Sequence, residues 1–402
     1  MWFLACAPPP SPSAEPAPVL ARLRVPEDLW EEQDRVVADA ALLSGFLAVE
    51  IKISTISYSY AQLALVPLPL SGDVDPQDFV VPDLNFRRMS FQSSDQLLAI
   101  AETDGATGAG RISYWKAPFG PRAPDGVWVG ENAGSCSTEC ESYIGGDGAG
   151  YSMQIGDFDQ DGKEDLLIGA PGWDQDPSLR ESWDSSWEGA VFLLSDPRAG
   201  TGTLGDAQRV LTGRLHGERG SRSFGRQLLS GDLDGDGRLE LMLVDEEHPD
   251  GSRIFVFSGP AAGWKDEAGA IATWTGLPRY AGAMAVGTLD GQPTLVTALE
   301  TELGLWHDLE SGEPQEFRTF PVEEGGVADL LIDGPLWIST TAGSLPRPAL
   351  YRSCPDDDSF SGALWESWSG YGAELLDRGE LADAAGKELL LQDGPSLLVV
   401  GD

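Results

Sequence analysis

Positive charge is scarce in this chain. Lys and Arg total 26 against 65 Asp and Glu, which leaves a formal net charge of −39 over 402 residues. Gripping a nucleic-acid backbone needs a basic face, so a nucleic-acid partner is not expected. Lysine is the rarer base, with five copies, a bias without a functional reading at this level. Histidine is rarer still: His216, His248 and His307 stand apart in sequence, and none pairs with another. A nucleophile–base pair therefore has little to draw on. G-x-S-x-G, H-E-x-x-H and a phosphate-binding glycine loop are all missing. Long apolar runs are missing too, and without a stretch of about 18 such residues no transmembrane helix is expected. Glu246-Glu247 and Asp356-Asp357-Asp358 have the chemistry for glycosidase work, but in so acidic a chain they read as solvated turns. Most of the acidity reads as solubility or adaptation to salt.

Cysteine is limited to Cys6, Cys136, Cys140 and Cys354. Cys136-Ser-Thr-Glu-Cys140 is a candidate loop disulfide in an oxidising compartment; a zinc half-site would need two more soft ligands. Cys354 has no evident role. Leu4-Ala5-Cys6 resembles the end of a bacterial lipoprotein signal, in which the cysteine becomes the lipidated first residue. The apolar segment before it is short and lacks a basic flank, so the expectation is that the true start lies upstream. A chance cysteine in a disordered cytoplasmic N-terminus is the competing reading. The Pro/Ser/Ala-rich stretch from Pro8 to Pro18 would serve as a disordered, extended tether. The chain would then sit in the cell envelope or outside it, lipid-anchored to a bacterial outer membrane, with no other membrane contact.

Residues 1–25 are thus read as signal remnant and tether. Residues 26–45 carry a helical pattern: Pro26 near the start, Glu27 and Asp28 in the first turn, Leu29, Val36, Ala40 and Leu43 on one face, and Gly45 as the stop. One short helix packing on the main domain is expected there. From Phe46 to residue 402 strand alternation and β-branched residues dominate.

Abundant within that region is a repeated acidic loop. Asp157-Phe-Asp159-Gln-Asp161-Gly162-Lys-Glu-Asp165 recurs as Asp232-Leu-Asp234-Gly-Asp236-Gly237-Arg-Leu-Glu240, and each copy runs into an apolar strand. Aligned on these loops, a unit opens with an aromatic and a small residue (Tyr151-Ser152, Phe224-Gly225, Tyr280-Ala281, Tyr371-Gly372). An apolar stretch, a glycine, the loop and two strands follow. Degenerate loops at Asp290 and at Glu380 to Glu388 read as solvated turns. Six or seven units of roughly 50 residues suit an all-β β-propeller, seven blades preferred, in which neighbouring sheets cover one another.

Gly169-Ala170-Pro171 closing one unit, Phe224-Gly225 opening the next and the acidic loops resemble the FG-GAP repeats of the integrin alpha-subunit propeller, found also in bacterial surface proteins. The resemblance is specific for residues 151–172 and 224–245. It implies a seven-bladed propeller with calcium loops on one face. Nothing matches the integrin leg or its partner subunit, so integrin-type ligand binding does not transfer.

Carboxylates at loop positions 1, 3 and 5, a glycine at 6, a backbone carbonyl at 7 and an acid at 9 form an oxygen cage for a hard cation. The expected ligands are Asp157, Asp159, Asp161, the Lys163 carbonyl and Asp165, and Asp232, Asp234, Asp236, the Arg238 carbonyl and Glu240. An EF-hand would need an acid at position 12, where Ile168 and Leu243 stand. Magnesium is served less well by four carboxylates. Two Ca2+ ions with a structural role are therefore expected. The expected activity is binding, adhesion or scaffolding toward a protein or glycan at the cell surface; the alternative is a propeller-fold polysaccharide lyase or hydrolase. The insertion 172–188, with Trp173, Trp183 and Trp187, is the candidate recognition loop, against the reading that these rings pack between blades.

Overall fold

The computed structural model describes residues 19–24, 34–54, 59–81, 89–102, 108–132, 146–174, 188–197, 200–213, 215–216, 219–220, 224–245, 253–275, 283–289, 292–299, 302–307, 315–321, 326–332, 336–341, 349–353, 373–379, 388–393 and 396–400. Among them the chain is all-β, and its helical pieces are short 3-10 turns at Pro76–Phe79, Leu204–Asp206, Ala261–Gly263 and Glu267–Gly269.

The architecture is a β-propeller. The first sheet joins the two ends of the chain: Ala373–Gly379, Glu388–Asp393 and Ser396–Val400 are followed by Val19–Arg24, which pairs antiparallel with the last of them, and by Gly72–Val74. The second is Asp34–Leu43, Phe46–Ser54 and Ser59–Pro67; the third runs from Met89–Ser93 through Leu97–Glu102 and Arg111–Lys116 to Gly126–Val129, with Gly200–Thr203 added outside. The fourth is Met153–Gly156, Asp165–Ala170, Ala190–Leu194 and Gln208–Thr212, and the fifth Gln227–Gly231, Glu240–Asp245, Arg253–Phe257 and Ala272–Thr275. The sixth is Ala283–Leu289, Gln292–Leu299, Glu302–His307 and Gln315–Pro321, and the seventh Gly326–Ile332, Leu336–Thr341 and Ala349–Ser353. The leading strand of each sheet touches that of the next, and Ala373–Gly379 meets Asp34–Leu43.

The repeat period predicts six or seven blades; the described residues form five blades of four or five strands, plus two three-stranded sheets and a two-stranded piece, Leu215–His216 with Arg219–Gly220. The second sheet falls short because its fourth strand is reduced to one bridge, Ala64 to Val80, with the Val81 N–H donating to the Leu63 carbonyl at 2.8 Å.

Stacking on both faces explains the unbroken apolar runs. Asp165–Ala170 and Glu240–Asp245 are buried at every position. Successive side chains point to opposite faces. Leu166 and Ile168 pack with Ala99, Ile112 and Tyr114 of the third sheet, while Leu167 packs with Leu241, Leu243 and Phe255 of the fifth.

The expected helix does not form over Asp34–Leu43. That segment is a strand paired along its length with Phe46–Ser54, and Gly45, at φ +74°, sits in the hairpin turn instead of ending a helix. The strand's apolar residues serve both faces, Ala40 in one core cluster and Leu43 in another. A strand buried on both faces need not alternate, so its apolar positions acquire a spacing that imitates a helix. Leu29 lies outside the described residues.

The phase of the repeat also needs correction. Gly150 and Gly225 both precede the loop-opening glycines Gly156 and Gly231 by six residues and share left-handed φ values of +85° and +82°. Ala149-Gly150, not Tyr151-Ser152, is therefore the counterpart of Phe224-Gly225. Backbone approach, not the aromatic, sets the constraint. The Ser152 Oγ donates to the Gly225 carbonyl at 2.9 Å, and a Cβ on Gly169 would run into that same oxygen. The Gly-Ala-Pro and Phe-Gly segments thus meet at the junction between the fourth and fifth sheets.

A second recurring device was not read from the sequence. In the second, fourth and fifth sheets, the connection from third to fourth strand reaches back to the outermost strand of the preceding sheet. Gly72–Val74 pairs parallel with Val19–Arg24, Gly200–Thr203 pairs parallel with Gly126–Val129, and Asp266 bridges Thr212 in the same sense. Each contact leads into a 3-10 turn; Asp75 and Asp266 cap two of them by accepting from the N–H groups of Gln77 (2.9 Å) and Ala268 (3.0 Å). The straps cover edges that would otherwise offer unpaired backbone groups.

Candidate metal centre

Each acidic loop links the first two strands of its sheet, residues 157–165 in the fourth and 232–240 in the fifth. The curl requires left-handed backbone at loop positions 4 and 6. Gln160 (φ +63°) and Gly162 (+84°) supply it in the first loop, Gly235 (+79°) and Gly237 (+84°) in the second. Position 2 anchors the loop, since Phe158 and Leu233 are buried at 1% and 3% exposure.

Side-chain oxygens then fold the backbone over themselves. Asp157 accepts from the N–H groups of Asp161 (3.0 Å) and Gly162 (2.9 Å), and Asp232 from those of Gly235 (2.7 Å) and Gly237 (2.9 Å). Asp159 accepts from Asp161 N–H at 3.1 Å, Asp234 from Asp236 N–H at 2.8 Å. At position 9, Asp165 Oδ2 accepts from the N–H groups of Phe158 and Asp159 at 3.0 Å, and Glu240 Oε2 from Leu233 N–H at 2.8 Å.

Three of the four acids converge in each loop. Carboxylate oxygens of Asp157, Asp159 and Asp165 lie within 4.8 Å of one another, as do those of Asp232, Asp234 and Glu240. Asp161 and Asp236, expected as position-5 ligands, stand outside these clusters. Both are exposed and face the basic side chain two residues on: Lys163 Nζ lies 3.4 Å from Asp161, and Arg238 Nε 3.9 Å from Asp236. The backbone N–H groups of Lys163 (2.9 Å) and Arg238 (2.8 Å), the expected carbonyl donors, close turns onto the same two aspartates.

The position-9 acids are buried, and burial pushes Asp165 up to about 6 and Glu240 up to about 7. Backbone N–H donors, that of Asp196 foremost, pull Asp165 back; Glu240 has fewer and feels the charges of Asp234, Asp236 and Asp232. An all-oxygen set of crowded carboxylates, with one buried in each loop, fits a hard cation that would relieve both desolvation and repulsion.

The first loop is also tied to its neighbours. Asp196 follows the third strand of its sheet in Ser195-Asp196-Pro197, at the left-handed φ of +39°. Its N–H donates to Asp165 Oδ1 at 3.0 Å, and its carboxylate lies 2.6 Å from Lys116 Nζ and 3.1 Å from Lys163 Nζ. The two ammonium groups hold the Asp196 carboxyl down at about 2. Glu164 accepts from Ser94 Oγ at 2.6 Å, a second tie to the third sheet. Asp196 was not singled out from the sequence. The available signal was Ser258-Gly259-Pro260, the equivalent turn one sheet on, where Gly259 takes φ +72°.

Residues 149–194 match the FG-GAP repeat family model. The FG-GAP match spans the fourth sheet from the glycine turn through its third strand, with the first acidic loop inside it; the second loop lies beyond it. No curated protein matches the chain. Among solved structures, the chain is similar to dihydro-heme d1 dehydrogenase NirN in complex with DHE at TM-score 0.44 and 8% identity, over 94% of this chain and 75% of that one.

Trp173 takes the packing role, not the exposed one. It is 3% exposed, lies edge-on to Phe192 at 6.2 Å and beneath the Arg209 guanidinium at 4.4 Å, and donates from Nε1 to Glu131 at 2.8 Å. Trp183, Trp187, Cys6, Cys136, Cys140, Cys354, Asp290 and Glu380 lie outside the described residues.

Proposed function

We propose that this chain is a calcium-stabilised propeller of seven blades that acts by binding or scaffolding outside the cytoplasm. The observation that carries the calcium reading is the matched geometry of two loops in adjacent sheets, each closing on a buried position-9 acid. Asp157, Asp159 and Asp165 would hold one ion and Asp232, Asp234 and Glu240 the other, with Asp161, Asp236 and the carbonyls of Lys163 and Arg238 completing the shells. The bound ion supplies charge neutralisation at a blade root, a structural service rather than a catalytic one. Seven blades follow if the two three-stranded sheets count as reduced members; the circuit of leading-strand contacts supports this.

The cation loops occupy one end of the sheets. The connections from Gly130 to Ser152 and from Pro171 to Gly189 leave from the other end, which follows from strand direction. Connections of that length on a rigid scaffold carry recognition, and Trp183 and Trp187 lie in the second of them. A protein or glycan at the cell surface is the proposed partner. Cys6 is the proposed lipid anchor, with a Cys136–Cys140 disulfide as part of the same envelope setting. Purified protein offered a glycan array and a polysaccharide panel tests the activity. Retention without turnover supports binding, and release of saccharide products overturns it in favour of a lyase or hydrolase. Mass spectrometry of the mature N-terminus tests the anchor; an unmodified Met1 contradicts it.

A further inference from the structure

We propose that Asp196 is a positioning residue for the first cation loop, acting by competing with the loop carboxylates for the Lys163 ammonium. The inference rests on the calcium reading above. It starts from strain: a non-glycine residue at φ +39° is costly, and such outliers persist where the surroundings impose them. The equivalent turn of the next sheet uses Gly259 for the same backbone shape. The aspartate side chain must therefore provide something a glycine would not.

Its position shows what. Lys163 projects from loop position 7 within 3.4 Å of Asp161, an expected ligand. Unopposed, that ammonium would compete with a cation for Asp161 and its neighbours. Asp196 shares it, at the shorter distance of 3.1 Å, and is itself fixed by Lys116, 2.6 Å away at the end of Arg111–Lys116 in the preceding sheet. The backbone N–H of Asp196 meanwhile orients Asp165, whose other oxygen is held inside the loop. Side chain and backbone thus act on the same loop from one residue. In the second loop Arg238 faces Asp236, and the equivalent of Asp196 is Gly259, which carries no carboxylate. The two loops should differ in affinity, the first binding more tightly.

The test is calcium titration calorimetry on full-length protein carrying Asp234→Ala, so that the first loop alone reports. Asp196→Gly keeps both the backbone N–H and the left-handed turn, so it removes only the carboxylate. These groups are partly exposed, and exposed pairs are weak. The expected loss of affinity is about three- to fivefold. Adding Lys163→Met should abolish most of that loss, because the competing ammonium is gone. An equal loss with Met or Lys at position 163 would mean that Asp196 acts as a general negative charge or a structural prop, and overturns the proposal. No loss with either residue overturns it as well. Absence of calcium binding in both the Asp234→Ala and the Asp159→Ala proteins would instead overturn the calcium reading beneath it. The Asp159→Ala protein, reporting the second loop alone, should bind more weakly than the Asp234→Ala protein.

Discussion

Glycine-to-alanine changes at Gly162, Gly169 and Gly225 separate two physical constraints. Gly162 has φ +84° and open space where a Cβ would go, so Gly162→Ala is opposed by backbone strain alone. That strain amounts to about 1–2 kcal/mol. Gly169 has ordinary backbone, but a Cβ there would strike the Gly225 carbonyl oxygen and lie 2.5 Å from Ser152 Oγ. Its cost is steric, about 1–3 kcal/mol or more because backbone must move. Gly225 combines both, with φ +82° and a Cβ 2.6 Å from the Ala190 carbonyl oxygen, so its cost should exceed either of the others. Gln160→Gly is the mirror control. It relieves a side chain at φ +63° and should stabilise by up to about 1 kcal/mol in chelator. Chemical denaturation is the better assay, because in a chain of 402 residues 1 kcal/mol moves a cooperative melting midpoint by only about 1 °C. The order Gly225 > Gly169 ≥ Gly162 supports the junction geometry. A Gly169→Ala protein as stable as wild type would refute the claim that the Gly-Ala-Pro and Phe-Gly segments meet there.

Further outcomes follow from packing and charge. Asp165 and Glu240 have folded values near 6 and 7, above those of an unfolded chain. The folded state therefore binds more protons between about pH 4 and 7, and stability in chelator should fall as pH rises through that window. Calcium should accordingly raise the midpoint more at pH 7.5 than at pH 5; the reverse order contradicts burial of these acids. Trp173→Ala should cost about 3–5 kcal/mol of stability, as loss of a buried ring does, while leaving glycan or protein retention intact in the folded fraction, measured by denaturation and pull-down. Gly202→Val should destabilise by about 1–3 kcal/mol, since a Cβ at Gly202 already lies 2.9 Å from the Trp128 ring beneath the strap. A neutral result there would mean that the strap contributes nothing to the edge.

Sequence pattern revealed what depends on local chemistry. The acidic loops, the strand-rich period and the junction signals are each spelled within a few residues, and the loops formed with positions 1, 3 and 9 together. Contacts across sheets were the harder part. Burial on both faces freed Asp34–Leu43 from strict alternation, so its apolar spacing resembled that of a helix. Tyr151 offered an aromatic in the wrong phase, while the glycine that matters, Gly150, is fixed by the approach of Ala101 from the third sheet. Asp196 lies 31 residues beyond Asp165 and reaches Lys116 across a sheet boundary. For Trp173 the sequence left recognition and packing both open, and the chain turns it inward against Phe192.

Two calcium ions are proposed to hold the blades at their roots. Thermal unfolding of the intact chain in chelator and in 2 mM calcium, a concentration of about 2–20 times the dissociation constants usual for extracellular modules, tests this most directly. A higher midpoint is expected with calcium, reflecting about 0.6–2 kcal/mol per site, with loss of that response in the Asp159→Ala, Asp234→Ala double variant. Superimposable melting curves with and without calcium would contradict it.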